Sequence, residues 1–248
     1  MTETSKNSGI SLPDASRSES GGVKARERVV EHGEVFTPAW VVNDMLDLLP
    51  NRGEENVWAT PQDAEQKRFL DPTCGEGAFL VEVLDRKLRR CDRYYIRDQA
   101  SWEWQSAIAV SSVYGIELLD DNRELCIENL FSTYLARYQS HYRATPNEKA
   151  LAAVRFIIEL NIMQGDSLTF LRADGSPILV AEFKPLVSAD GARMLQRSDY
   201  DLSEVSRSNA APDLFTLAQE EPGLVARYEP APWMEIASAA PQKGSMQV

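Results

Sequence analysis

The residues best placed to do chemistry form one run, Phe69-Leu70-Asp71-Pro72-Thr73-Cys74-Gly75-Glu76-Gly77-Ala78-Phe79-Leu80, which reads as an apolar strand, a glycine turn and a helix start. Gly75 and Gly77 permit the tight or positive-φ geometry that lets a backbone approach a ligand closely. A turn built for phosphate presents bare amides and a helix N-terminus to an anion. Here Asp71 and Glu76 make the mouth of the turn negative. That sign suits a nucleotide-like ligand carrying positive charge, such as the sulfonium and amino groups of S-adenosylmethionine.

The Asp-Pro-x-Cys-Gly-x-Gly-x-Phe-Leu pattern resembles the first motif of DNA amino-methyltransferases, the adenine-modifying enzymes of restriction-modification systems. Upstream, Gly33-Glu34-Val35-Phe36-Thr37-Pro38 followed by Val41, Val42, Met45, Leu46 and Leu49 resembles that family's Phe-Thr-Pro motif and its helix. Downstream, Val113-Tyr114-Gly115-Ile116-Glu117 resembles the second strand, whose terminal acid takes the ribose hydroxyls. Asn161-Ile162-Met163-Gln164-Gly165-Asp166-Ser167-Leu168 resembles the third, whose Asp reads the adenine amine. The four motifs occur in family order between about residues 26 and 170. The resemblance implies an α/β fold, doubly wound around a largely parallel sheet of the class I S-adenosylmethionine-dependent methyltransferase type. It also implies a cofactor site made of Thr37, Asp71, Pro72, Cys74, Gly75, Gly77, Phe79, Glu117, Asp166 and Ser167.

One departure weighs against a complete enzyme. The family's catalytic motif, Asn/Asp/Ser-Pro-Pro-aromatic, should follow the third motif, and no Pro-Pro dipeptide exists in the chain. In such enzymes the target base is flipped out and held by that motif. The chain is similar in this to short "restriction endonuclease subunit M" proteins, which leaves the catalytic residues unassigned. Activity without a partner would need another polar group after residue 170, and Asp174, Ser176 and Asp199 are available. A subunit would instead take the catalytic loop and the DNA-recognition surface from a second restriction-modification subunit. A non-catalytic S-adenosylmethionine-binding module of a DNA defence complex is the alternative of a different class. A nicotinamide-dependent dehydrogenase is disfavoured, because Gly75-x-Gly77-x-x-Leu80 lacks the third small residue of the dinucleotide fingerprint. The spacing disagrees too: Glu117 lies 46 residues after Asp71, whereas a plain βαβ unit places the ribose acid about 20 residues on.

Several of these residues also have structural readings. Thr37 before Pro38 is a good N-cap, Gly165-Asp166-Ser167 is a common turn, and Phe79 suits the core face of a helix. Cys74 has no Pro-Cys dipeptide or nearby base to make it a nucleophile, and reads as a small packing residue.

The elements that must position these groups follow from periodicity. Residues 1–24 are rich in Ser, Gly, Glu and Thr and read as a disordered tail. Helical spacing of Val41, Val42, Met45, Leu46 and Leu49 predicts a helix over 38–49, and a polar loop over 51–66 leads to a strand at 68–71. Phe79, Leu80, Val83, Leu84 and Leu88 line the next helix. Trp102, Trp104, Ala107, Ile108, Ala109 and Val110 indicate an inserted helix before the second strand. A helix opened by Asp120 carries Leu125, Ile127, Leu130, Phe131, Tyr134, Leu135 and Tyr138; another covers 149–158, and the third strand runs from Leu160 to Met163. Asp174-Gly175-Ser176-Pro177 marks a hairpin turn. Residues 25–205 thus make one methyltransferase-like domain, with 206–248 an irregular C-terminal tail that docks on a partner.

Composition sets outer limits. With 248 residues, 43% of them hydrophobic, one α/β core is expected. A net charge of -12, from 26 basic and 38 acidic residues, opposes autonomous binding to duplex DNA. The stretch Arg86-Lys87-Leu88-Arg89-Arg90-Cys91-Asp92-Arg93-Tyr94-Tyr95-Ile96-Arg97 is the exception, readable as a solvated helix end or as a basic patch. Three scattered cysteines and two histidines make no plausible zinc site, so no metal is expected. Without a long apolar run or a secretory signal, the chain is expected in the cytoplasm and off the membrane.

Overall fold

The computed structural model describes residues 37–49, 58, 67–207 and 222–242. The tail expected over 1–24 and the loop expected over 51–66 lie outside the described residues, apart from Trp58 in the loop.

Helix α1 (Ala39–Asp47) begins one residue later than the sequence suggests. Its N-cap is Pro38, in extended conformation, and Thr37 makes no capping bond. The Pro38 carbonyl accepts from the Val41 and Val42 amides, so the proline supplies the first helical acceptor while its missing N–H costs nothing there. Val42 and Leu46 are buried against the next helix, whereas Met45 is exposed.

Strand β1 (Phe69–Asp71) runs into the glycine turn and then α2 (Ala78–Tyr95). The buried stripe of α2 is Leu80, Val83, Leu84, Lys87, Leu88 and Cys91, the spacing of one helical face. Lys87 is the surprise in it. Its ammonium donates to the Lys67 carbonyl at 2.8 Å and lies 5.2 Å from the Phe69 ring centroid, and burial pulls its pKa down to about 7. The inserted helix is α3 (Gln99–Ser111), buried along most of its length, with Trp102 donating from its indole to Asp92 at 2.8 Å.

Strand β2 (Val113–Glu117) is fully buried and pairs in parallel with β1, Phe69 facing Val113 and Asp71 facing Gly115. Helix α4 (Asp120–Tyr142) starts at Asp120 with Leu119 as its cap residue; Leu130, Tyr134 and Tyr138 are buried and Leu125 is exposed. Helix α5 (Glu148–Asn161) runs straight into β3 (Ile162–Gln164), so Leu160 and Asn161 are helical and the third strand starts two residues later than expected. Asn161 has a reason to stay in the helix: its side-chain amide donates to the Val113 carbonyl at 3.0 Å, tying α5 to the start of β2. β3 joins β2 in parallel, giving the order β1-β2-β3.

The second half is antiparallel. Arg172 to Ile178 make the expected tight turn, closed by the Arg172 amide on the Ser176 carbonyl. A longer hairpin then joins β4 (Leu179–Val187) to β5 (Arg193–Asp201) in continuous register. After α6 (Leu202–Arg207), β6 (Leu224–Arg227) and β7 (Ala231–Pro232) both pair with β5. The expectation of an irregular tail after 206 therefore fails for residues 222–242, which add strands and a 3₁₀ turn (Trp233–Ser238) that buries Trp233 and Ile236. The parallel sheet has three described strands, and β4 to β7 form a separate sheet instead of extending it. Ile178, Val180, Tyr200 and Leu202 bury against Tyr114, Ile116 and Met163, so the second sheet supports the strands that carry the site.

Candidate functional site

The three parallel strands end together, and Asp71, Glu117 and Asp166 lie at or just past their carboxyl ends, where ligands sit in open α/β sheets. Glu117 organises the arrangement. One carboxylate oxygen accepts from the Gly75 amide at 2.9 Å and the other from the Leu119 amide at 3.0 Å. A side chain from β2 thus fixes the turn that follows β1. The Glu117 carbonyl accepts from the Gly165 amide at 3.0 Å, extending the link to the segment after β3.

The turn itself is held from several sides. Asp71 accepts from the Thr73 amide at 3.1 Å, and the Cys74 amide donates to Ile116. Burial raises the Asp71 carboxyl above its ordinary range; the Thr73 hydrogen bond opposes this, and the nearby Glu117 charge adds to it. Gly77 caps α2 in the left-handed region at φ 85°, and a Cβ there would lie 2.6 Å from the Cys126 sulfur. Asn129 of α4 donates to the Glu76 carbonyl at 2.9 Å, holding the outer side of the turn.

The sequence-derived residues fare differently. Asp71, Gly75, Gly77 and Glu117 converge. Pro72 is exposed at the turn and Phe79 is half-buried on α2, packed against the core. Cys74 is buried, and its thiol pKa is raised by a hydrogen bond with Cys126 and then by burial, which makes it a packing group and not a nucleophile. Asp166 lies two residues past the end of β3 and is locally engaged: it accepts from the Leu168 amide at 2.8 Å and the Thr169 hydroxyl at 3.1 Å. Ser167 is half-buried beside it. Thr37 is exposed, and no hydrogen bond among the described residues joins it to the turn.

Three features escaped the sequence reading. Gly115 lies under the turn, where a Cβ would meet the Cys74 sulfur and Leu80 Cδ1 at 2.8 Å each, so this glycine is what lets β2 run beneath it. Leu118 and Leu168 follow Glu117 and Asp166 with 56% and 90% exposure, which leaves apolar surface beside the carboxylates. A leucine one residue after Glu117 and two after Asp166 was the available signal.

None of the groups available for an alternative catalytic role is free. Asp174 accepts from the Ser176 amide at 2.9 Å and hydroxyl at 2.6 Å, within its own turn. Asp199 is buried on β5 and takes two bonds from Arg197, at 2.7 and 2.6 Å. Among the described residues no cluster of three or more His, Cys, Asp or Glu could hold a metal ion, and no helix is long and apolar enough to cross a membrane.

Residues 54–174 match the family described as MmeI, DNA-methyltransferase domain. A 74-residue stretch is 31% identical to the Type II methyltransferase M.VspI of Vibrio sp. (strain 343), covering 29% of this chain and 15% of that protein. No solved structure gives a significant match. The chain thus matches only a small part of that methyltransferase's length.

Proposed function

We propose that this chain is the cofactor-binding part of an S-adenosylmethionine-dependent DNA adenine methyltransferase of a restriction-modification system, completed by a partner subunit. The observation that carries the reading is the convergence of Asp71, Glu117 and the glycine turn at the ends of β1 and β2, with Asp166 after β3. Each group suits a part of that cofactor. Asp71 offers a half-buried carboxylate to a cationic group; Glu117 retains acceptor capacity beside its two amide bonds for a ribose diol; and Leu118 and Leu168 offer apolar surface to a base. Gly75, Gly77 and Gly115 keep bulk away from the turn. The cofactor, when bound, supplies an electrophilic methyl group, and the residues of this chain hold and orient it. The doubly wound class I architecture and the boundaries of the 25–205 domain belong to the same proposal.

Catalysis needs a polar group at the target amine and a surface to stack the flipped base. Asp174 and Asp199 are committed to local hydrogen bonds, which favours a partner as the source of both. The test is isothermal titration with S-adenosylmethionine and with S-adenosylhomocysteine. Micromolar or tighter binding is expected, and absence of both heat and thermal shift with either ligand rejects the proposal. A non-catalytic binding module is the second reading, favoured by the absence of a Pro-Pro motif. Cofactor binding combined with inactivity in the presence of every candidate partner subunit would select it.

A further inference from the structure

The basic stretch singled out in the sequence lies at the end of α2 away from the glycine turn. An 18-residue helix spans about 27 Å, so this end is remote from the candidate cofactor site. The Tyr142 hydroxyl donates to the Ile96 carbonyl at 2.8 Å, which brings the last turn of α4 to the last turn of α2 and adds Arg143 to the same end.

The carboxylates there are already engaged. Asp85 pairs with Arg89 and Arg137, Asp92 with Arg137 and His141, and Asp98 accepts from the Ser101 hydroxyl. Among the described residues no carboxylate pairs with Arg90, Arg93, Arg97 or Arg143. Arg93 lies 5.8 Å from the centroid of the Tyr94 ring, which is half exposed. Helix ends attract cations, but each carries only about half a negative charge. Two ends offset about one of the four guanidinium charges, leaving roughly three in a chain whose net charge is -12.

We infer that Arg90, Arg93, Arg97 and Arg143, with the Tyr94 ring, form a contact surface for the phosphate backbone of DNA, on the end of the domain opposite the cofactor turn. Arg90 and Arg93 lie one turn apart on α2, and Arg97 follows in the turn just past the end of the helix. Guanidinium groups without carboxylate partners suit phosphate oxygens, which they can hold with two parallel bonds. The choice of DNA over another polyanion rests on the proposed function.

Fluorescence anisotropy with a labelled 20-base-pair duplex tests it. Binding is expected at 50 mM salt and should weaken about 50-fold by 150 mM, the dependence for about four neutralised phosphates. The triple variant Arg90→Gln/Arg93→Gln/Arg97→Gln should lose tenfold or more in affinity at 50 mM and most of the salt slope, with its unfolding temperature and its titration by S-adenosylhomocysteine unchanged. No wild-type binding at 50 mM, or equal binding by the triple variant, overturns the inference. So does polyglutamate of matched charge displacing the duplex as well as unlabelled duplex does, since the patch would then serve an acidic protein. Loss of duplex binding with intact cofactor binding leaves the proposed function standing, whereas loss of cofactor binding by the wild-type chain counts against that function separately.

Discussion

At the scale of single residues, the site depends on groups that do two things at once. Glu117 ties the Gly75 and Leu119 amides and faces the proposed ligand. Glu117→Ala should weaken S-adenosylmethionine binding by about 1.5–3 kcal/mol, the range for hydrogen bonds to a charged group. Calorimetry on the variant checks this, and unchanged affinity removes Glu117 from the site. Gly115 lies beneath the turn, and the turn rests on it. Gly115→Ala places a methyl 2.8 Å from the Cys74 sulfur and Leu80, and should cost about 1–3 kcal/mol of stability by overpacking. Urea unfolding measures the loss, and Cys74→Ala in the same chain should recover part of it.

At the scale of elements, α2 matters most because it connects the turn to the core through one buried stripe. Lys87 in that stripe is held at a pKa of about 7 by burial, against about 10.4 for an unfolded lysine. Between these values the unfolded chain binds more protons than the folded one, so this group makes stability rise as pH increases from about 7 to about 10. Lys87→Met keeps the aliphatic bulk and removes the proton. Its unfolding temperature should exceed that of the wild type at pH 6, and the advantage should shrink toward pH 10. An advantage independent of pH would show that Lys87 is charged in the fold. The buried carboxylate of Glu103 does similar structural work between elements. It accepts from Tyr138 at 2.8 Å, Gln99 at 2.9 Å and Asn147 at 2.9 Å, and so joins α3 to the end of α4 and the start of α5.

At the scale of the molecule, charge is divided between two ends. Asp71, Glu76, Glu117, Asp120, Asp121 and Asp166 stand at or near the carboxyl ends of the parallel strands, at the mouth of the proposed cofactor site, while the arginines without a carboxylate partner among the described residues lie at the far end of α2. A duplex is therefore repelled from the mouth unless another surface covers it. Orientation of reacting groups can supply about 7–11 kcal/mol of a barrier, and Asp174, Ser176 and Asp199 are all engaged in local hydrogen bonds. Purified alone, it should transfer little or no methyl to DNA, with activity appearing when a subunit carrying a Pro-Pro-aromatic loop is added. Tritiated methyl incorporation into mixed genomic DNA distinguishes the cases. Robust incorporation by the chain alone, lost in Asp71→Asn, would place a diverged catalytic group within this sequence.

The glycine turn, the strands ending in Asp71 and Glu117, and the inserted helix around Trp102 were legible because local rules govern them: short apolar runs ending in an acid, apolar residues at helical spacing, and glycines between a strand and a helix. Helix ends were less so. Pro38 displaced Thr37 as the cap, and Asn161 stayed helical through a bond to Val113, a partner 48 residues away. The strands after 222 could not be read at all, since Leu224–Arg227 and Ala231–Pro232 are too short to show a period and exist as strands because β5 offers an edge. The chain by itself determined which side chains stand at the strand ends. Only the tertiary structure decided what each can do there, because burial, close approach under Gly115 and the sharing of Glu117 between two amides arise between residues that are far apart along the sequence.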